Sequence, residues 1–253
     1  MKYLELKDVS KFFGGLCALR DISIIIKPNR VYGIIGPNGS GKTTLFNLIT
    51  GSLKADKGEI LFKGEPIAGI PTYQIVQRGI CRSHQEIRLF RRLKVEENVY
   101  VGLPNQRYEN LLTALFRRSF KRSKEREENL GKVHSLLTAS KILPKKNFLA
   151  GSLSYGEQKF VMMSRILATG AELVLLDEPT AGLDGEQIND VLSSINRLVS
   201  ENKTVIVVEH NIDVIMSISD YIFVLDQGSK VAEGEPKDIY QDERVLETYL
   251  GER

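Results

Sequence analysis

The chain has 253 residues, 42% of them hydrophobic and 26% charged, and carries a net charge of +3. That length allows one large domain or two modest ones, and the ordinary composition excludes a disordered or fibrous chain. A charge so near balance does not by itself support a nucleic-acid partner, and no apolar run approaches the length that crosses a bilayer.

The N-terminal "MKYLELKDVS" alternates apolar and polar residues and reads as a first strand, not a signal peptide. "ISIII" (22–26) and "VYGII" (31–35) are further β-rich runs, punctuated by Gly14-Gly15 and Pro28-Asn29. After a glycine-rich loop, Leu45, Leu48 and Ile49 recur at helical spacing, with Gly51 as the stop. "GEILF" and "GICRS" supply two more strands. The stretch from about 93 to 150 changes character. Leu111, Leu112, Leu115, Phe116 and Phe120 share one helical face, and Leu130, Val133, Leu136 and Leu137 share another. Between them six of the ten residues 117–126 are Lys or Arg, so this is a helical insert with a basic middle.

From 164 onwards strands and helices alternate: helix 165–169, strand 172–178, helix 186–200, strand 204–209, helix 211–218 and strand 221–225. Apolar strands separated by helices predict an α/β fold whose parallel sheet is covered on both faces. "GSKVAEGEP" predicts a short hairpin arm before a last helix. Cys17 and Cys81 share no metal-ligand spacing and read as free thiols in a reducing compartment. A soluble cytoplasmic protein is expected, with any membrane role coming through a partner.

Gly36, Pro37, Asn38, Gly39, Ser40, Gly41, Lys42 and Thr43 fit the G-x-x-x-x-G-K-[ST] phosphate loop, following a buried strand and opening a helix. Glycines let the amides of Asn38 through Thr43 turn toward phosphate oxygens, and the helix N-terminus adds its dipole. Lys42 can reach the β- and γ-phosphates of a nucleoside triphosphate, and the Thr43 hydroxyl can ligate Mg²⁺. At the end of "LVLLDEP", strand alternation sends Asp177 and Glu178 to opposite faces, Asp177 toward Mg²⁺ and Glu178 toward the attacking water. His210 ends another buried strand and can contact the γ-phosphate or orient that water. Gln85, just after "GICRS", can complete the Mg²⁺ shell.

These elements in this order resemble the ATP-binding subunit of an ABC transporter, over essentially the full length of the chain. "GPNGSGKT" resembles the Walker A loop, Gln85 the Q-loop residue, "LSYGEQ" (153–158) the LSGGQ signature, "LVLLDE" Walker B, "AGLD" (181–184) the D-loop and His210 the switch histidine. The resemblance implies a P-loop cassette with an N-terminal antiparallel β subdomain, a mainly parallel core sheet flanked by helices, and a helical signature subdomain at 93–159, the remainder being 1–92 and 160–253. It implies two ATP molecules sandwiched between head-to-tail cassettes, Ser154, Gly156 and Glu157 of each capping the nucleotide of the other, with Asp184 communicating between sites. Ser154 with Glu157 three residues on also reads as the capping box of a helix start, which does not compete with that role. Thr44 continues the phosphate-facing run, and Phe13 matches the aromatic that stacks on adenine, with Phe12 as its rival. Mg²⁺ would be held by Thr43, Gln85 and Asp177. Two departures stand out. Tyr155 replaces the first glycine of the signature, which requires its side chain to point away from phosphate, and His84 replaces a common phenylalanine.

The finer resemblance is to branched-chain amino-acid uptake ATPases, carried by "KFFGGLCALRDISI", "IRLFRRLKVEENVYVGL" and "VVEHNIDVIMSISDYIFVLDQGSKVAEGEP". Lipopolysaccharide-export and urea- or amide-uptake ATPases share much of this text. Repair, cohesion or translation cassettes carry zinc modules, long coiled coils or paired cassettes that this sequence lacks. The expected partners are a second cassette, identical or paralogous, two membrane permeases and, indirectly, a periplasmic or lipid-anchored solute-binding protein, but no nucleic acid. The expected place is the cytoplasmic face of the inner membrane. Glu86–Phe90 is expected to line the groove for a permease helix, and the basic stretch 117–126 to face lipid headgroups or solvent.

Overall fold

The computed structural model describes residues 2–83, 86–104, 120–242 and 244–245, the side chains of 120–124 excepted. His84, Gln85 and most of the insert's first apolar face therefore lie outside the described residues, as does the bulk of the basic stretch.

The chain divides into two compact units. The first comprises residues 1–82, 171–181 and 195–253. Its opening strands, β1 (Leu4–Phe13) and β2 (Leu16–Ile26), are longer than the short runs read from sequence. Gly14-Gly15 closes them into a tight hairpin in which Phe13 pairs with Leu16, and Gly14 takes the positive φ of +57° that a two-residue loop demands. β3 (Val31–Ile35) is buried along its whole length and runs into α1 (Lys42–Ile49) through the glycine-rich loop. Next come β4 (Lys57–Phe62), β5 (Glu65–Pro66), α2 (Thr72–Gln77) and β6 (Ile80–Arg82).

β2, β1, β4 and β5 form an antiparallel sheet in that order, the expected N-terminal subdomain. The later strands of this unit are β7 (Leu173–Asp177), β8 (Thr204–Val208), β9 (Tyr221–Asp226) and β10 (Ser229–Gly234). The second sheet has the order β10-β9-β3-β8-β7-β6, parallel from β9 to β6 with β10 as an antiparallel edge. β3, β7 and β8 have five buried residues each, so the central strands read as continuous apolar runs because neither face meets water. One core joins the two sheets through Leu4, Leu6, Ile22, Leu45, Phe46, Leu175 and Ile206.

The second unit comprises 83–170 and 182–194, a wider range than the sequence boundaries 93–159. It contains α3 (Val95–Tyr100), α4 (Phe120–Ala139) and α5 (Tyr155–Ala168). Its core gathers Val95, Val99, Val133, Leu137, Leu153 and Val161. Val133 and Leu137 are the fully buried members of the second apolar face read from sequence. The helix start read at Ser154 and the helix read at 165–169 are the two ends of one helix, α5, with Ser154 as its cap. The helix α6 (Gly185–Ser200) follows β7, and α7 (Ile212–Ile218) and α8 (Pro236–Gln241) follow β8 and β10.

Leu175 is fully buried in the central sheet, whereas Ile25 of β2 is 45% exposed. Leu175→Ala is expected to cost about 2–5 kcal/mol in urea unfolding and Ile25→Ala within about 0.5 kcal/mol. Equal losses for the two would contradict this placement of the core.

Candidate nucleotide site and signature helix

At the end of β3 the backbone reverses tightly. A Cβ on Gly36 would stand 2.1 Å from the Leu225 carbonyl oxygen, and one on Gly41 would stand 2.5 Å from Leu19 Cδ2. Only glycine lets the loop approach its neighbours this closely. Gly39 has φ +81° yet meets nothing within 4 Å, so the middle of the loop borders open space. Two backbone bonds set the loop's position: Gly228 N–H donates to Ser40 O at 3.2 Å, and Arg20 N–H donates to Gly228 O at 2.8 Å. α1 then starts with no side-chain cap at Gly41. An uncapped helix start leaves inward amides for an anion.

Lys42 is 7% exposed. Its ammonium donates to Gly36 O at 2.6 Å, Pro37 O at 2.8 Å and Ser40 Oγ at 3.4 Å. Burial pushes its pKa down, while the charges of Glu178 and Asp177 push it back up. The lysine of the loop and the two carboxylates at the end of β7 thus share one electrostatic neighbourhood. Thr43 is exposed on the first turn, and Thr44 half-buried beside it.

β7 ends at Asp177, and Glu178 has a φ of +47°. The alternation expected across Asp177-Glu178 therefore stops at the strand end: a left-handed residue, costly for any side chain but glycine, re-aims Glu178. Glu178 N–H donates to Val208 O at 2.9 Å, which docks the turn on β8. Its Oε1 lies 2.7 Å from His210 Nε2, an imidazole N–H donating to a carboxylate. Asp177 Oδ2 accepts from Arg82 at 2.6 Å. The loop beyond Pro179 is held by a residue that sequence reasoning missed: buried Glu209 accepts from Thr180 N–H and Oγ1, both at 2.7 Å. Neither Phe12, 39% exposed, nor Phe13, 46% exposed, belongs to the core; the Lys11 ammonium stands 5.5 Å from the Phe13 ring centroid.

The second unit holds the signature. Ser154 N-caps α5, its Oγ accepting from Glu157 N–H at 3.3 Å while Glu157 Oε2 accepts from Ser154 N–H at 3.0 Å. The Glu157 carboxylate also accepts from Lys145, which with the box lowers its pKa against the opposing effect of burial. Gly156 is buried, and a Cβ there would touch the Gln187 side chain at 2.8 Å. The Tyr155 ring lies along Gly182, where a Cβ would be 3.1 Å from its Cε1, and carries the Lys159 ammonium 5.5 Å from its centroid. Asp184 Oδ1 accepts from Gln187 N–H at 2.9 Å and caps α6. Signature and D-loop of one chain are thus packed together through Tyr155, Gly156 and Gln187.

A protein-family model described as "ABC transporter" matches residues 19–181, from β2 through the loop after β7. The chain belongs to the ABC transporter family. This cassette is similar to the high-affinity branched-chain amino acid transport ATP-binding protein BraF of Pseudomonas aeruginosa, 37% identical over 250 residues and 98% of each chain. The LivG protein of the same description from Escherichia coli is 36% identical over 251 residues, again 98% of each. Among solved structures, a nucleotide-free ATP-binding cassette of an ABC transporter matches with a TM-score of 0.84 and 32% identity, over 98% of this chain and 99% of that one. A dimeric cassette in a post-hydrolysis state, bound to ADP and Pi, matches with a TM-score of 0.77 and 26% identity, over 92% of this chain and 98% of that one. As an ABC cassette the chain binds adenine nucleotide and hydrolyses ATP in the service of transport.

Gly36 and Gly39 separate loop shape from loop strain. Gly36→Ala is expected to lose nucleotide binding together with thermal stability, since a backbone oxygen cannot make room. Gly39→Ala should keep the fold at a cost of about 1–2 kcal/mol for its left-handed backbone. Thermal melting with titration of a fluorescent ATP analogue reads both, and a Gly36→Ala protein that binds normally would refute the loop geometry.

Proposed function

We propose that this cassette powers an importer of branched-chain amino acids, pairing with a second cassette and two permeases on the cytoplasmic face of the inner membrane and receiving solute from a binding protein outside. The observation that supports the solute class is full-length similarity to BraF and LivG. The one that supports the chemistry is the Glu178–His210 contact at 2.7 Å, beside a phosphate loop whose lysine feels Glu178 and Asp177.

The residues fit a magnesium nucleotide. Among the described residues no group of three or more His, Cys, Asp or Glu could hold a metal. The Thr43 hydroxyl, exposed on the first turn of α1, and the Asp177 carboxylate, whose charge reaches the neighbouring Lys42, are hard oxygen donors of the kind Mg²⁺ takes together with phosphate oxygens and water. Mg²⁺, when bound with Gln85 as a further ligand, supplies charge neutralisation at the β- and γ-phosphates.

The chain's own residues do the rest. Lys42 exchanges the Gly36 and Pro37 carbonyls for phosphate oxygens, and the α1 amides with Thr44 hold the phosphate tail. Phe13 stacks on adenine. Glu178 takes a proton from the attacking water as its oxygen bonds to the γ-phosphorus and the β–γ bridge breaks. His210 keeps the Glu178 carboxylate aimed through its N–H. Ser154, Gly156 and Glu157 close over the nucleotide of the partner cassette. The Ser154 Oγ, already an acceptor within the capping box, keeps its proton for phosphate. Asp184 at the start of α6 links that closure to the second site.

Coupling to a permease falls to a groove of about 670 Å³ in the second unit, lined by Arg88, Leu89, Phe90, Val101, Gly102 and Arg165. Buried Asn98 fixes this segment, accepting from Phe90 N–H at 2.9 Å and donating to Phe90 O at 3.1 Å. Phe90 is 52% exposed, with the Arg165 guanidinium 5.8 Å from its ring centroid. An apolar helix tip fits such a surface.

Glu178→Gln is expected to cut ATP turnover by about 100-fold or more while nucleotide binding survives and a dimer accumulates. Undiminished turnover would remove Glu178 from the chemistry. Replacing Leu89 and Phe90 together by serine should abolish solute uptake in reconstituted vesicles and leave the isolated cassette's nucleotide affinity unchanged. Normal uptake by that double variant would move the permease contact elsewhere.

A further inference from the structure

Arg82 is the last residue of β6, and β6 pairs with β7 so that Arg82 stands opposite Leu175. Asp177 lies two residues further along β7, on the same face as Leu175, within diagonal reach of a long side chain. The reach is made: Arg82 donates to Asp177 Oδ2 at 2.6 Å, and each side chain is only 8% exposed. A second arm of the guanidinium donates to Asn47 Oδ1 of α1 at 2.6 Å, and the cation lies 5.2 Å from the Phe46 ring centroid. The third arm, Nε, is buried with no hydrogen-bond partner among the described residues.

This is an expensive way to tie a strand to a helix. Desolvating a guanidinium offsets much of what the ion pair returns, and an unsatisfied N–H adds to the cost. A neutral side chain could bond Asn47 as well. What a neutral side chain cannot do is place a positive charge against the carboxylate that faces the phosphate loop. We propose that Arg82 is a positioning residue of the metal site: it fixes the Asp177 carboxylate and, by its charge, holds back a bare divalent cation until a nucleotide brings one in. The phosphate tail's negative charge then outweighs Arg82, so metal and nucleotide arrive together. This rests on Asp177 being a metal ligand, as read above.

The test is thermal melting of the full chain at fixed non-hydrolysable ATP analogue, with Mg²⁺ titrated in from an EDTA baseline. Mg²⁺ should raise the wild-type Tm. In Arg82→Met, and in Arg82→Gln should the Met protein not fold, half of the Mg²⁺ effect should come at a concentration lower by about threefold or more, because the repelling charge is gone. Arg82→Lys keeps the charge and should stay within about twofold of wild type. Asn47→Ala breaks the other arm; it should lower the Tm throughout and leave the Mg²⁺ midpoint where it was. A midpoint in the neutral variants at or above the wild-type value overturns the proposal, as does an equal shift in Asn47→Ala. If Mg²⁺ fails to raise the wild-type Tm, and Asp177→Asn melts alike with and without it, the metal reading of Asp177 falls and the proposal with it.

Discussion

Lys42 holds its amine at a place where little water reaches, and the fold around it is arranged to make that tolerable. Its ammonium spends its donors on the Gly36 and Pro37 carbonyls and Ser40 Oγ, all within its own loop. Those acceptors converge only because Gly36 and Gly41 let the backbone pass within contact distance of β2 and of the end of β9. The position of β2 in turn depends on the Gly14-Gly15 hairpin, and that of β9 on its parallel pairing with β3. A single buried cation therefore sets demands on both sheets of the first unit. The two carboxylates at the end of β7 answer part of its charge, and a triphosphate can answer more, since phosphate oxygens are stronger acceptors than amide carbonyls.

How much of this could be read from the sequence depends on the range of the interaction. The phosphate loop is written in eight consecutive residues, each with a local reason, so spacing alone locates it. Central strands β3, β7 and β8 are legible because burial on both faces leaves unbroken apolar runs. The signature helix is legible at both ends, in the Ser154–Glu157 capping box and in the apolar residues of its last turn, but the weak pattern between them does not join the two into one helix. Alternation across Asp177-Glu178 failed for a related reason, since strand periodicity says nothing about the first residue beyond the strand, and Glu178 turns left-handed there. Arg82 and Glu209 were invisible. Each matters through a partner fixed by strand register or by a turn, Asp177 for one and Thr180 for the other. The assignment of Gln85 lies outside the described residues.

The signature departure has a physical resolution. A glycine at position 155 would leave the start of α5 bare, whereas Tyr155 spreads its ring along Gly182 of the D-loop. Gly182 has φ +74° and no Cβ, which is what lets an aromatic edge approach. Gly156 plays the reciprocal part, its missing side chain giving room to Gln187 of α6. Two glycines, one on each segment, each accept a bulky neighbour from the other. The cap of α5 and the cap of α6, made by Ser154 and Asp184, are joined across this contact.

That joint bears on how a dimer of cassettes closes. A signature free to move by itself could meet a partner's nucleotide without disturbing the D-loop, and hydrolysis at one site would then carry no information to the other. With Tyr155 against Gly182 and Gln187 filling the space at Gly156, displacement of the α5 cap must displace the start of α6 or open a cavity among packed side chains. Close-packed elements move together or not at all on this length scale. Asp184, exposed and with its carboxylate committed to the first turn of α6, is carried along with the α5 cap, the segment proposed above to close over the partner's nucleotide. Under the proposed head-to-tail dimer, packing within each chain would by itself couple the two sites, with no separate relay required.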